Sequence, residues 1–153
     1  MNLIAFIGTG LISKAIQWQT RSVFSHVALE LSDGEVIEAW HRGGVKRYPG
    51  RDALAHHKGS RAQVFWIEMT QEQEKKAEAF LKGQIGKPYD FLAIARFLSR
   101  RPMAENGRWF CSELAAAACC YAGYRLQHTE PHLLSPRDVV MSPRIIYRET
   151  VLL

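Results

Sequence analysis

The chain has 153 residues, enough for one domain with a hydrophobic core of its own. Its hydrophobic content of 47% and charged content of 23% are those of an ordinary globular protein, and no apolar run approaches the roughly 18 residues of a membrane helix. A net charge of +5 favours anionic partners such as lipid head groups or wall polymers, but the basic residues are scattered, and no aromatic-interleaved strip marks a nucleic-acid surface.

Leu3–Ile7 reads as a buried strand, followed by Gly8-x-Gly10 and a helical stretch, Leu11–Gln19. With Glu30 twenty residues beyond Gly10, this is the outline of a dinucleotide-binding fingerprint. The third small position is Ser13, however, and the next strand runs straight into the hairpin signal "SDGEVIEA" instead of a crossover helix. Dinucleotide binding is therefore a minor alternative. Phe24–Leu31 alternates, with Val27, Leu29 and Leu31 on one face and His26, Ala28 and Glu30 on the other. Ser32-Asp33-Gly34 suits a type I turn with Gly34 in the left-handed position, making a bulge. That register sets Leu31 opposite Glu35, Ala28 opposite Glu38 and His26 opposite Trp40. Glu38 then shares the face of His26; a two-residue turn would put it opposite Leu29, on the wrong face.

Further strands are expected over Glu35–Trp40, Val45–Tyr48, Gln63–Met69 and Arg144–Arg148. Helices are expected over Gln71–Lys82, Tyr89–Ser99, Cys111–Ala122 and Pro136–Met141. Thr70 with Gln73 forms a capping box, Ser135 with Pro136 opens the last helix, and Gly123 closes the one before it. The apolar tail "TVLL" suits an edge strand, a packed terminus or a dimer contact equally well. The order of elements predicts an α+β fold, an antiparallel sheet packed by helices, as a single domain over residues 1–153.

Three cysteines, two of them adjacent, are a poor disulfide framework and fit a reducing compartment. The first residues lack a basic region and a cleavage site of the signal-peptide type, so a cytoplasmic location is expected. Cys111 opens a helix continued by Ala115–Ala118, small residues that let it lie close to another layer. Free N–H groups and the helix dipole favour an anion at that end, hence a thiolate. Position alone leaves Cys111 open between a nucleophile and a small buried hydrophobe, whereas Cys119 and Cys120 read as hydrophobes. A nucleophilic thiol needs a base, and His26, on a strand beside Ala28, is the rigidly mounted candidate among six histidines. His56, His57, His128 and His132 read as surface. No Cys/His spacing matches a zinc site, so neither metal nor cofactor is expected.

His26, the Asp33-Gly34 turn and "VIEA" are similar to the His-Val-Gly-Ile-Tyr … Gly-x-x-Ile-His-Ala signature of the NlpC-type, papain-like cysteine hydrolases. "GKPYD" (Gly86–Asp90) resembles the Gly-x-Pro-Tyr segment of that family, and "FCSEL" its Asp-Cys-Ser-Gly-Leu, with Glu113 in place of Gly. His26 precedes Cys111, the order of the circularly permuted branch, which includes YiiX-like proteins and the lecithin–retinol acyltransferase group. The run "GTGLISKAIQWQTRSVFSHVALEL" resembles the opening of YiiX-like proteins. The resemblance implies a circularly permuted papain-like fold with the nucleophile at a helix N-terminus. It implies Cys111 as nucleophile, His26 as base and Glu38 as the residue that orients it, working through a thioester acyl-enzyme. Tyr89 would point its hydroxyl into the site, and Ser25 and Ser112 would be further substrate or oxyanion contacts. The substrates implied are peptide-like amides, such as murein stems, or acyl lipids. The alternative is a non-catalytic lipid- or peptide-binding module on the same fold.

Overall fold

The computed structural model describes residues 1–93 and 107–153. Six strands form one antiparallel sheet: β1 (Asn2–Ile7), β2 (His26–Glu30), β3 (Val36–Trp40), β4 (Gly44–Tyr48), β5 (Arg61–Ile67) and β6 (Ile145–Leu152), in the order β4-β3-β2-β1-β5-β6. Among the described residues four helices accompany them: α1 (Leu11–Thr20), α2 (Gln71–Lys82), α3 (Cys111–Tyr121) and α4 (Pro136–Val140). The α+β architecture expected from the sequence is present. β1 is apolar from Leu3 to Ile7 because both faces of the sheet are covered there; Leu3, Ile4, Ala5 and Phe6 have no exposed surface.

One face packs on α2 and α3 through Leu3, Ala5, Val27, Leu29, Ile37, Leu81, Leu114 and Ala115. The small side chains of α3 allow that approach. The other face owes its cover to topology. β4 lies at one edge and β5 beyond β1, so residues 49–60 must cross the sheet surface. They do so in two short 3-10 turns, Arg51–Ala53 and Ala55–His57. Leu54 is buried there with Ile4, Phe6, Ala28, Val36 and Ala62. Arg51 clamps the crossing: its guanidinium donates twice to Glu30, both at 2.7 Å, and once to Glu149 at 2.9 Å.

Several local expectations are met. Thr70 and Gln73 complete a capping box at α2, and Ser135 and Asp138 another at α4. Gly123, at φ +77, ends α3, with Tyr124 N–H bonded to Cys119 O (2.8 Å) and Gly123 N–H to Cys120 O (2.9 Å). The tail is an edge strand on β5. The helix expected over Tyr89–Ser99 lies mostly outside the described residues; Tyr89 itself forms a bridge with Trp109.

The dinucleotide reading fails structurally. β1 pairs antiparallel with both its neighbours, so there is no parallel crossover unit. Gly8 serves close packing: a Cβ there would stand 2.3 Å from Ser13 Oγ and 2.9 Å from Ser25 Oγ. Glu30, the expected ribose ligand, is taken by Arg51 and by Asn2 Nδ2, which donates to it at 2.7 Å.

Candidate active site

His26 opens β2 and Glu38 is the central residue of β3. His26 Nε2 lies 2.6 Å from Glu38 Oε2, and both side chains are buried. The bulged hairpin makes this contact. Gly34 has φ +84, its N–H donates to Leu31 O (3.1 Å), and Leu31 N–H donates to Glu35 O (2.8 Å). Leu29–Ile37 and Glu30–Val36 then pair in the register that Ser32-Asp33-Gly34 requires.

Cys111 is the first residue of α3 and is 2% exposed. Phe110, at the N-cap, has no polar side-chain atom with which to cap the first turn; Glu113 Oε2 accepts from Phe110 N–H at 3.4 Å. Cys111 belongs to the helix layer, while His26 and Glu38 belong to the opposite face of the sheet. They meet because β2 and β3 part. Their paired residues end at Leu29–Ile37, and a narrow crevice there is lined from both faces by Val27, Ala28, Ile37, Glu38, Cys111 and Leu114. Cys111 acts on His26 across it, chiefly by charge.

Burial works against a charged His26, but Cys111 and Glu38 outweigh it and push its pKa up from 6.5 to about 10. Burial likewise opposes a charged Glu38, yet the charge of His26 and hydrogen bonds from His26, His56 and His57 hold its carboxyl well below the usual range. Tyr89 is buried against Phe110, with ring centroids 5.6 Å apart. Burial first, then the charges of Cys111, Asp90 and Glu38, raise its phenol strongly. The structure thus brings Cys111, His26, Glu38 and Tyr89 together. The "GKPY" segment is carried there by β4: Val45 N–H donates to Lys87 O (2.9 Å) and Gly86 N–H to Val45 O (2.9 Å).

Ser112 and Ser25 are engaged elsewhere. The Ser112 hydroxyl donates to Leu134 O at 2.6 Å, fixing the start of α3. Ser25 Oγ accepts from Gly8 N–H at 3.2 Å and ties the end of β1 to β2.

His56 is exposed, as expected, but His57 is not the surface residue expected. His57 is 4% exposed, stacks on Phe6 with centroids 3.9 Å apart, and sets Nε2 3.0 Å from Glu38 Oε2. His56 Nε2 bonds the other carboxylate oxygen. Burial, with His26 and His56 nearby, lowers the pKa of His57 to about 4 despite Glu38. Burial and the nearby Glu38 carboxylate push the Tyr48 phenol up to about 12. The sequence carried little signal for this cluster, because 3-10 turns have no periodicity and the side chains come from three separate segments.

The same gathering makes a group of possible metal ligands that Cys/His spacing along the sequence does not reveal. One ligand atom each from His26, Glu38 and His57 lie within 4.8 Å of one another, all on buried side chains. Two imidazoles and a carboxylate are a donor set suited to zinc and other divalent transition metals. A cavity of about 490 Å³ lies elsewhere, between the end of α1 and residues 127–141, lined by Thr20, Gln127, His132, Ser135, Arg137 and Asp138.

No family model and no curated protein matches this chain. Among solved structures, it is similar to the crystal structure of metalloprotein yiiX from Escherichia coli O157:H7, a DUF1105 protein. The TM-score is 0.75 and the identity 24%, over 99% of this chain and 97% of that one. The likeness is one of fold. No helix among the described residues is long and apolar enough to cross a membrane.

Proposed function

We propose that the chain is a thiol-dependent hydrolase or acyltransferase on a circularly permuted papain-like fold. The observation that carries this reading is the placement of Cys111, the first residue of α3, in the crevice that Glu38 also lines, with His26 bonded to Glu38 at 2.6 Å. An imidazolium beside the sulfur is the partner that a nucleophilic thiolate needs. The sulfur attacks an amide or ester carbonyl and forms a tetrahedral oxyanion. The Cys111 N–H is one donor to that oxyanion, of a kind worth about 3 kcal/mol. His26 gives its proton to the leaving amine or alcohol, and a thioester to Cys111 remains. His26, now neutral, takes a proton from the incoming water or alcohol, and the thiolate leaves. Glu38 fixes the ring and steadies its charge. Tyr89 stands beside the sulfur as a neutral phenol able to donate to the carbonyl.

The test uses acyl p-nitrophenyl esters and peptide p-nitroanilides, followed by mass spectrometry of the protein. The expected result is an acyl adduct on Cys111, absent in Cys111→Ala, with turnover lowered by about 10²–10⁴ in His26→Ala. No adduct with either class, or an adduct that survives in Cys111→Ala, overturns the reading.

The yiiX neighbour being a metalloprotein gives a metal here some support. His26, Glu38 and His57 would hold it, and the Lewis acidity it would supply would stand in place of the thiol chemistry, not beside it.

A further inference from the structure

We propose that His57, with His26 and Glu38, forms a transition-metal site with His56 at its mouth, and that filling it switches off the thiol centre. This inference rests on the hydrolase reading above. Three imidazole nitrogens converge on one carboxylate: His26 and His57 on Oε2 at 2.6 and 3.0 Å, and His56 on Oε1. Orienting a catalytic imidazole takes one carboxylate, and His26 already has it. His56 and His57 are surplus to that task, yet they are held as firmly. His57 stacks on Phe6 and meets the edge of Trp40 at 4.7 Å between centroids; His56 packs on Trp40 at 4.6 Å and on Tyr48 at 5.2 Å. Rings fixed by packing around a shared point are the preorganisation that a metal site needs. The His56 side chain is the most open of the four, at 23% exposure, and gives an ion a way in.

The donor set of two imidazole nitrogens and a carboxylate, His26, His57 and Glu38, suits zinc, cobalt(II) or nickel(II). Cys111 is not needed in it. The atoms that would ligate, His26 Nε2 and Glu38, are those whose contact orients the base for Cys111. Ligation takes His26 as the neutral ring, its proton leaving to solvent, and draws Glu38 onto the ion. Metal-bound protein and thiol-active protein are then alternative uses of the same residues. The crossing between β4 and β5, pinned by Arg51 and Leu54, is the part of the fold that adds the metal function to the hydrolase frame.

The experiment strips the full chain with chelator, then titrates zinc by calorimetry and cobalt(II) by visible absorption. In parallel, iodoacetamide labelling of Cys111 is followed with and without zinc. One equivalent should bind wild type and Cys111→Ala alike, and the cobalt complex should lack thiolate charge-transfer absorption. His57→Ala should weaken binding by at least about 10–100-fold, the loss that even an outer partner of a ligand brings. Zinc should slow labelling of Cys111 in wild type, chelator should restore it, and His57→Ala should remove the zinc sensitivity. His56→Ala is the second variant should His57→Ala fold poorly. Absence of binding, or binding lost in Cys111→Ala, overturns the site; saturating zinc without effect on labelling overturns the antagonism. If Cys111 is inert in metal-free protein, the hydrolase reading and the antagonism fall together, while calorimetry still decides the metal site.

Discussion

His26 and His57 touch the same oxygen of Glu38 and titrate in opposite directions, because their other neighbours differ. His26 faces Cys111 and is pushed up to about 10; His57 is buried between His26 and His56 and is held down at about 4. These shifts set the pH dependence of stability. His57 contributes stability above its ordinary 6.5 that is lost as pH falls towards 4, since the unfolded chain takes a proton that the native ring refuses. At 1.36 kcal/mol per pH unit the loss is about 3 kcal/mol. Glu38 extends the decline below 4.5. His26 acts the other way: its contribution is complete below 6.5 and is lost as pH rises through about 10. Denaturant unfolding against pH should therefore show highest stability near neutrality, with an acid limb that His57→Gln flattens. An acid limb unchanged by His57→Gln would remove His57 from the account. None of this could be read from "AHHKGS", where nothing local distinguishes a buried histidine from a solvated one.

At the scale of elements, the hairpin and the nucleophile helix were legible, because each is specified by neighbouring residues. Ser32-Asp33-Gly34 dictates a turn, the turn dictates a register, and the register puts Glu38 on the face of His26. The opening between β2 and β3 was not legible, since it depends on where α3 docks. The dependence of "GKPY" on β4 was hidden too. Gly44 has φ +74, and a Cβ there would stand 2.1 Å from Lys87 O. Gly44→Ala should cost more than the 1–2 kcal/mol of a left-handed residue alone and should move Tyr89 away from Cys111. Gly34→Ala, with open space around its Cβ, should cost only that 1–2 kcal/mol. Thermal melts with Cys111 labelling separate the two: both variants melt lower, and only Gly44→Ala changes the labelling rate. Equal effects would place the 86–89 segment outside the site.

For the whole molecule, the sequence carried the class of fold and left the strand order open. Alternation and hairpin signals give antiparallel pairing between neighbours such as β2 and β3. They say nothing of β5 pairing with β1, which sends residues 49–60 across the sheet and brings His56 and His57 to Glu38. A layered fold of this kind meets at Cys111, where the helix layer reaches the far face through parted strands. The account's central claim is that this meeting makes a reactive thiol–imidazole pair. The most direct test is the iodoacetamide rate at each cysteine by mass spectrometry, in metal-free wild type and His26→Ala. Cys119, whose thiol burial pushes up to about 12, is the internal control. The account predicts that Cys111 labels far faster than Cys119 and Cys120 near neutral pH, and that His26→Ala slows it at least about tenfold, the effect of about 1.4 kcal/mol of lost pairing. A Cys111 no faster than its neighbours, or indifferent to His26, would contradict it.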